Sequence, residues 1–162
     1  MRRKAIFFLL LVLLIIVGYY LQKDKIEGER PFGAIEVKAD KGGTVSANDV
    51  YVLAKLITGE ARGEDYLGQV AVGAVVVNRV KNPNFPNTVY GVVFEPGAFD
   101  AVVDGQYFRP ALASAVQAAR AAINGWDPTG GALYYWNPST ATSRWIWSRP
   151  IIARIGHHVF AR

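Results

Sequence analysis

The sequence predicts an α+β domain, helices first and a small antiparallel sheet towards the C-terminus, preceded by an N-terminal transmembrane helix. Three observations carry this. Apolar residues recur at spacings of three and four between Ser46 and Gly125, the mark of helices packed on a core. All four tryptophans and several short aromatic or β-branched runs crowd in after Gly125. Behind Arg2, Arg3 and Lys4 lies a 17-residue run, Ala5 to Leu21, broken only by Gly18. That run explains why a 162-residue chain is 51% hydrophobic with a mean hydropathy of +0.15.

At about 1.5 Å per residue the run spans roughly 25 Å, the short end of a bilayer crossing. It has no polar face, and no small-residue cleavage pattern follows it at Tyr19-Tyr20-Leu21-Gln22-Lys23. Residues 1–22 therefore read as a membrane anchor, or an uncleaved signal, and the basic start places everything after it outside the cytoplasm. Residues 23–45 carry five charges of each sign, with Pro31 and Gly42-Gly43, and read as a flexible tether. Residues 46–162 hold ten basic and eight acidic side chains, a net of +2 out of the chain's +5. Most of the excess charge thus belongs to the anchor, and no nucleic-acid partner is expected despite a pI near 9.6.

Ser46-Ala47-Asn48-Asp49 can form a capping box, after which Val50, Leu53, Leu56 and Ile57 share one helix face. Glu60 continues that face, three residues after Ile57 and four after Leu56, and Gly59 and Gly63 mark the helix end. A carboxyl at the end of an apolar stripe is desolvated, which raises its pKa towards that of a general acid. The alternative is an exposed glutamate at a helix end. Leu67 to Val80 is too long for most strands and reads as a second helix, with Leu67, Ala71, Ala74 and Asn78 in line. Asn78 would then either bond a buried partner or face a cleft. Asn82 to Asn87 is a turn region, and Thr88 can cap a short helix through Phe94. Pro110 suits a first helical position, and Leu112, Val116, Ala119 and Ile123 form a third stripe, stopped at Asn124-Gly125. Ala132 to Trp136, Arg144 to Trp147 and Gly156 to Phe160 read as short strands. Their alternating aromatics supply either exposed faces for sugar rings or simply the core.

The absence of cysteine excludes disulfides, thiolate metal sites and a cysteine nucleophile. The two histidines, His157 and His158, are adjacent and would point to opposite faces of a strand, so no metal site is expected. No Gly-x-Ser-x-Gly elbow and no P-loop occur. Carboxylates remain: Glu60, Glu64, Asp65, Glu95, Asp100, Asp104 and Asp127. Glycan hydrolysis usually needs two, whereas a lytic cleavage manages with one and the sugar's own hydroxyl.

Gly59-Glu60-Ala61-Arg62-Gly63-Glu64, Gly68-Gln69-Val70-Ala71-Val72, Asn78-Arg79, Phe85-Pro86-Asn87-Thr88-Val89 and Asp104-Gly105-Gln106 stand in order along the chain. They continue with Asn124-Gly125-Trp126-Asp127-Pro128-Thr129, Ala132 to Pro138, Trp145 to Pro150 and Ile155 to Phe160. Together they resemble the catalytic domain of the SleB-type cell wall hydrolases, the spore cortex-lytic enzymes. The resemblance implies a lysozyme-like domain over 46–162 that cleaves peptidoglycan glycan strands as a lytic transglycosylase, with Glu60 as catalytic acid and no cofactor. An amidase activity, or a non-catalytic glycan-binding module built on the aromatic end, is the alternative. No separate peptidoglycan-binding domain is expected within these 162 residues, which would be a departure from the family. The chain also places Asp100 where a small hydroxyl residue is expected. Asn78, Gln106, Tyr135 and Trp147 are the expected substrate contacts, and Glu64, Asp100 and Asp104 the candidates for a second carboxylate. The expected partners are the glycan strands and, through the N-terminal helix, the membrane.

Overall fold

A computed structural model describes residues 46–162; the anchor and tether read at 1–22 and 23–45 lie outside the described residues. Helix α1 (Ala47–Ala61) opens on the capping box, the Ser46 hydroxyl accepting from the Asp49 N–H and the Asp49 carboxylate from the Ser46 N–H, each at 3.1 Å. Such a cap stabilises a helix by about 1 kcal/mol. Leu53, Leu56 and Ile57 are fully buried, as their spacing predicts.

Helix α2 (Tyr66–Lys81) is capped by Asp65, which accepts from the Gly68 N–H at 2.8 Å. Val70, Val72, Val75 and Val76 are all buried, so it is covered on most sides, although Leu67 is exposed and not part of the stripe. A Cβ on Gly73 would lie 3.0 Å from Ile57 Cδ1 and 3.1 Å from Ala122 Cβ, so a glycine lets α2 approach both neighbours. Thr88 caps α3 (Val89–Val93) through the Gly91 N–H, and α4 (Asp100–Val103) and a 3₁₀ turn (Gln106–Phe108) follow.

Helix α5 (Ala113–Ile123) starts later than Pro110 suggests, and its buried face is Ala115, Ala118, Ala119 and Ala122. Leu112 is exposed, at the cap position, where its N–H is taken by the Thr58 hydroxyl at 3.0 Å. Close packing of α5 on α1 and α2 favours the small side chains over the bulkier stripe expected from spacing.

The sheet is antiparallel, in the order β1 (Tyr134–Trp136), β3 (His158–Ala161), β2 (Ile151–Ile155), with Tyr135 opposite Phe160 and Ile155 opposite His158. One sequence expectation fails here, and one strand goes unforeseen. Arg144–Trp147 is a helical turn, α6, and the spacing of one turn lets the Arg149 guanidinium lie 4.2 Å from the Trp145 ring centre. Ile151–Ile155 is a strand that no period announces, because it is an exposed edge with an irregularity between Ile151 and Ala153. Among the described residues no helix is long and apolar enough to cross a membrane.

Candidate active site

Glu60 sits in the last turn of α1 and is only partly exposed. Its position depends on Gly59, since a Cβ there would come within 2.5 Å of Ala101 Cβ and push α4 away. With α4 close, the Ala101 N–H donates to Glu60 Oε1 at 2.8 Å, and the Tyr135 hydroxyl of β1 donates to Oε2 at 3.0 Å. Burial pushes the Glu60 carboxyl above the ordinary glutamate range. The two hydrogen bonds pull it back in part, and the nearby charges of Asp100 and Asp104 push it up again. The outcome is an acid that keeps its proton to higher pH than a free glutamate, with one oxygen on a helix amide and the other on a phenol.

Tyr135 is held by rings on several sides: His158 edge-on at 5.3 Å and 86°, Phe160 at 6.0 Å and Phe99 at 6.4 Å. Burial, and then the neighbouring Glu60 charge, raise its pKa well above the ordinary tyrosine value. It therefore stays a donor at any physiological pH. Tyr135, expected as a substrate contact, is a direct partner of Glu60.

The remaining residues read from the sequence divide sharply. Asn78 donates its amide to Asp127 Oδ2 at 2.9 Å and to the Ala132 carbonyl at 3.1 Å, so its side chain ties α2 to the loop before β1. Burial alone would raise the Asp127 pKa, but bonds from Thr129, Asn78 and Gly131 outweigh it and hold the carboxylate ionised. Gln106 donates to Asp104 Oδ2 at 2.7 Å from its side chain and to Oδ1 at 2.9 Å from its N–H. Those bonds lower the pKa of the exposed Asp104. Asp100 opens α4 at the surface beside Glu60. Trp147 is 43% exposed, donates its indole N–H to the Ala141 carbonyl and packs edge-on against buried Trp136 at 5.5 Å.

Glu64 belongs elsewhere. It accepts the His157 N–H at Oε2 (3.0 Å), and its Oε1 lies 3.1 Å from His157 Nδ1 and 3.2 Å from His158 Nδ1. The sequence expectation that the two histidines diverge fails, because His157 lies in the β2–β3 turn and only His158 is in a strand. Burial lowers the His158 pKa, and the Glu64 charge only partly offsets it.

Arg79 carries no signal in spacing or motif beyond its place beside Asn78, yet it is 7% exposed and lies under the site. Its Nε donates to the Leu133 carbonyl at 2.7 Å, and its guanidinium is 5.1–5.6 Å from the centres of the Phe85, Phe99 and Tyr134 rings. Burial lowers its pKa, while Tyr135, Tyr134, Glu95 and Glu60 oppose that. A cation so placed braces β1 and offsets negative charge around Glu60.

Residues 63–161 match the family described as Cell Wall Hydrolase. The spore cortex-lytic enzyme of Bacillus cereus is 59% identical over 117 residues, covering 72% of this chain and 45% of that protein. The spore cortex-lytic enzyme of Bacillus subtilis is 56% identical over 124 residues, 76% of this chain and 41% of that protein. The chain thus spans about half the length of the curated relatives it matches. The solved structure of the catalytic domain of the germination-specific lytic transglycosylase SleB from Bacillus anthracis superposes with a TM-score of 0.70 at 56% identity. It covers 76% of this chain and all of that one.

Proposed function

The chain belongs to the cell wall hydrolase family, and from that premise we propose that it cleaves the glycan strand of peptidoglycan as a lytic transglycosylase, with Glu60 as its single acid/base. The observation that carries this is the Glu60 carboxyl itself: partly buried at the end of α1, its pKa raised, and held in one orientation by Ala101 and Tyr135. The name of the Bacillus anthracis relative, a lytic transglycosylase, supports the same chemistry.

In the first half-reaction the Glu60 proton passes to the oxygen linking N-acetylmuramic acid to N-acetylglucosamine, and the bond from that oxygen to the muramoyl C1 breaks. Glu60 is left as a carboxylate beside a cationic C1. It then takes the proton of the muramoyl C6 hydroxyl as that oxygen bonds to C1 and closes a 1,6-anhydro ring. The carboxyl ends protonated, ready for another turnover. Ala101 and Tyr135 stabilise the carboxylate midway, and Tyr135, with its high pKa, donates throughout. No second carboxylate is required, which fits the engagement of Glu64 with the histidines.

Digestion of purified sacculi, read by product mass, tests the proposal. Anhydro-muramoyl ends are expected from the parent chain and none from Glu60→Gln. Reducing muramoyl ends would mean hydrolysis through a second carboxylate, and free stem peptides would mean an amidase. Binding without solubilisation would make the domain a glycan-binding module. The proposal extends to residues 1–22 as the anchor that holds the domain outside the membrane, supported by the basic start and apolar run. The chain should then stay with membranes through an alkaline carbonate wash; release into the wash would refute the anchor.

A further inference from the structure

Glu64 is a strongly engaged carboxylate beside the site for which the reaction has no use. Its side chain is only 6% exposed, and it draws in three groups at the β2–β3 turn and the start of β3: the His157 N–H, the His157 ring and the His158 ring. His158 Nδ1 lies 3.2 Å from Glu64 Oε1 without the geometry of a hydrogen bond to any group. Gly156 completes the fit, because a Cβ at its φ of +57° would overlap Glu64 Oε2. On its other side the His158 ring stands edge-on against Tyr135, whose hydroxyl reaches Glu60. A continuous chain of contacts therefore runs from Glu64 through His158 and Tyr135 to Glu60.

The geometry points to Glu64 as a positioning residue: by clamping the Gly156-His157-His158 turn it fixes the His158 ring, which fixes Tyr135, which holds the hydroxyl on Glu60. This rests on the reading of Glu60 as the acid, but it assigns Glu64 no part in the chemistry. The Tyr135 bond is one of the two contacts that favour the Glu60 carboxylate. If the clamp opens, that bond lengthens and Glu60 holds its proton to higher pH. Loss of the Glu64 charge alone would act the other way, since removing a like charge favours a carboxylate. The two roles therefore predict opposite signs. The charged or titratable groups around the chain are His157 and His158 at Glu64, and Arg79, Asp100 and Glu60 at Tyr135.

The test is the Glu60 titration, followed by carboxyl-carbon NMR on the full chain labelled in glutamate, with Glu60→Gln assigning the signal. Glu64→Gln should move the titration to higher pH, as Tyr135→Phe should, and the double variant should match Tyr135→Phe alone. On sacculi, Glu64→Gln should lower kcat by about ten- to a hundredfold, the scale of a displacement near 1 Å, with KM little changed. It should also carry the alkaline limb of the pH profile upward. A titration that stays put or moves down, or shifts that add in full in the double variant, would overturn the clamp. So would an activity as low as that of Glu60→Gln, which would make Glu64 a second catalytic carboxylate. If Glu64→Gln does not fold, His158→Phe keeps the ring and removes Nδ1, and must move Glu60 in the same upward direction or the idea fails. Should the parent chain release no anhydro product, the reaction is misassigned while the titration still decides the clamp.

Discussion

Glu60 and Glu64 lie four residues apart at one end of α1, both largely removed from water, and they have opposite surroundings. Around Glu60 stand one backbone N–H, one phenol, and the charges of Asp100 and Asp104, so burial wins and the proton is held to higher pH than in a free glutamate. Around Glu64 stand two imidazoles and a turn N–H, which hold it against the start of β3. What a buried glutamate does is thus decided by the donors and charges the fold brings to it. The first corner is an acid; the second is a tie between α1 and the sheet.

The largest expected effect comes from erasing the difference at the first corner. Glu60→Gln should lower activity on sacculi by about 10²–10⁴-fold, the usual worth of general acid–base catalysis. It should nevertheless fold and be more stable. The amide oxygen can still accept from Ala101 and its NH₂ can donate to the Tyr135 oxygen. A raised carboxyl pKa means that the folded state binds its proton more tightly than the unfolded chain. Its contribution is therefore full below the unfolded value of about 4.5 and is lost as pH rises through the folded one. At neutral pH the variant escapes that loss. Calorimetry should show a melting temperature a few degrees above the parent at pH 7, since about 1 kcal/mol moves a domain of this size by roughly 4 °C. The gap should close near pH 4. An equal or lower melting temperature at pH 7 would show that Glu60 is not a strained acid.

Much of the first corner was legible in the sequence and little of the second. The stripe Leu53, Leu56, Ile57, Glu60 is a local period, and the structure puts all four on the buried side of α1. Tyr135 was visible only as one of several alternating aromatics, because its meeting with Glu60 joins residues 75 apart in sequence. Glu64 meets His157 across 93 residues, and the edge strand Ile151–Ile155 that presents the histidine turn has no alternation to announce it. Asn78 shows the same limit. Its place on the helix face was readable, but its partners Asp127 and Ala132 lie in a loop shaped by hydrogen bonds rather than by period. Arg79 was hidden because a buried arginine among rings looks, in one dimension, like any basic residue at a helix end.

The second corner should tilt stability the other way. Burial lowers the His158 pKa, so the folded state prefers the neutral ring and the unfolded chain binds the proton more tightly. Stability from this group is full above the unfolded value near 6.5 and is lost as pH falls through the folded value. His158→Phe cannot be protonated, so its melting temperature should gain on the parent's as pH falls from 7 to 5. Glu60→Gln gains over the opposite direction. Parallel curves for His158→Phe and the parent would show that the imidazole is not held neutral.

The smallest effect sharpens the first corner without breaking it. Asp104 is exposed and its carboxylate is engaged by Gln106, so its influence on Glu60 is that of a like charge across a partly solvated gap. Asp104→Asn keeps an oxygen for the Gln106 N–H and removes the charge. Glu60 should then lose its proton at slightly lower pH, carrying the alkaline limb of the activity profile down, while the rate at the optimum changes by less than about threefold, as expected of a surface charge. Because the interaction crosses solvent, the displacement should shrink as ionic strength approaches 1 M, where the screening length is about 3 Å. A loss of orders of magnitude at every pH and salt would instead place Asp104 in the reaction as a second carboxylate. Glu60 would then be one of a pair, and the products would carry reducing ends.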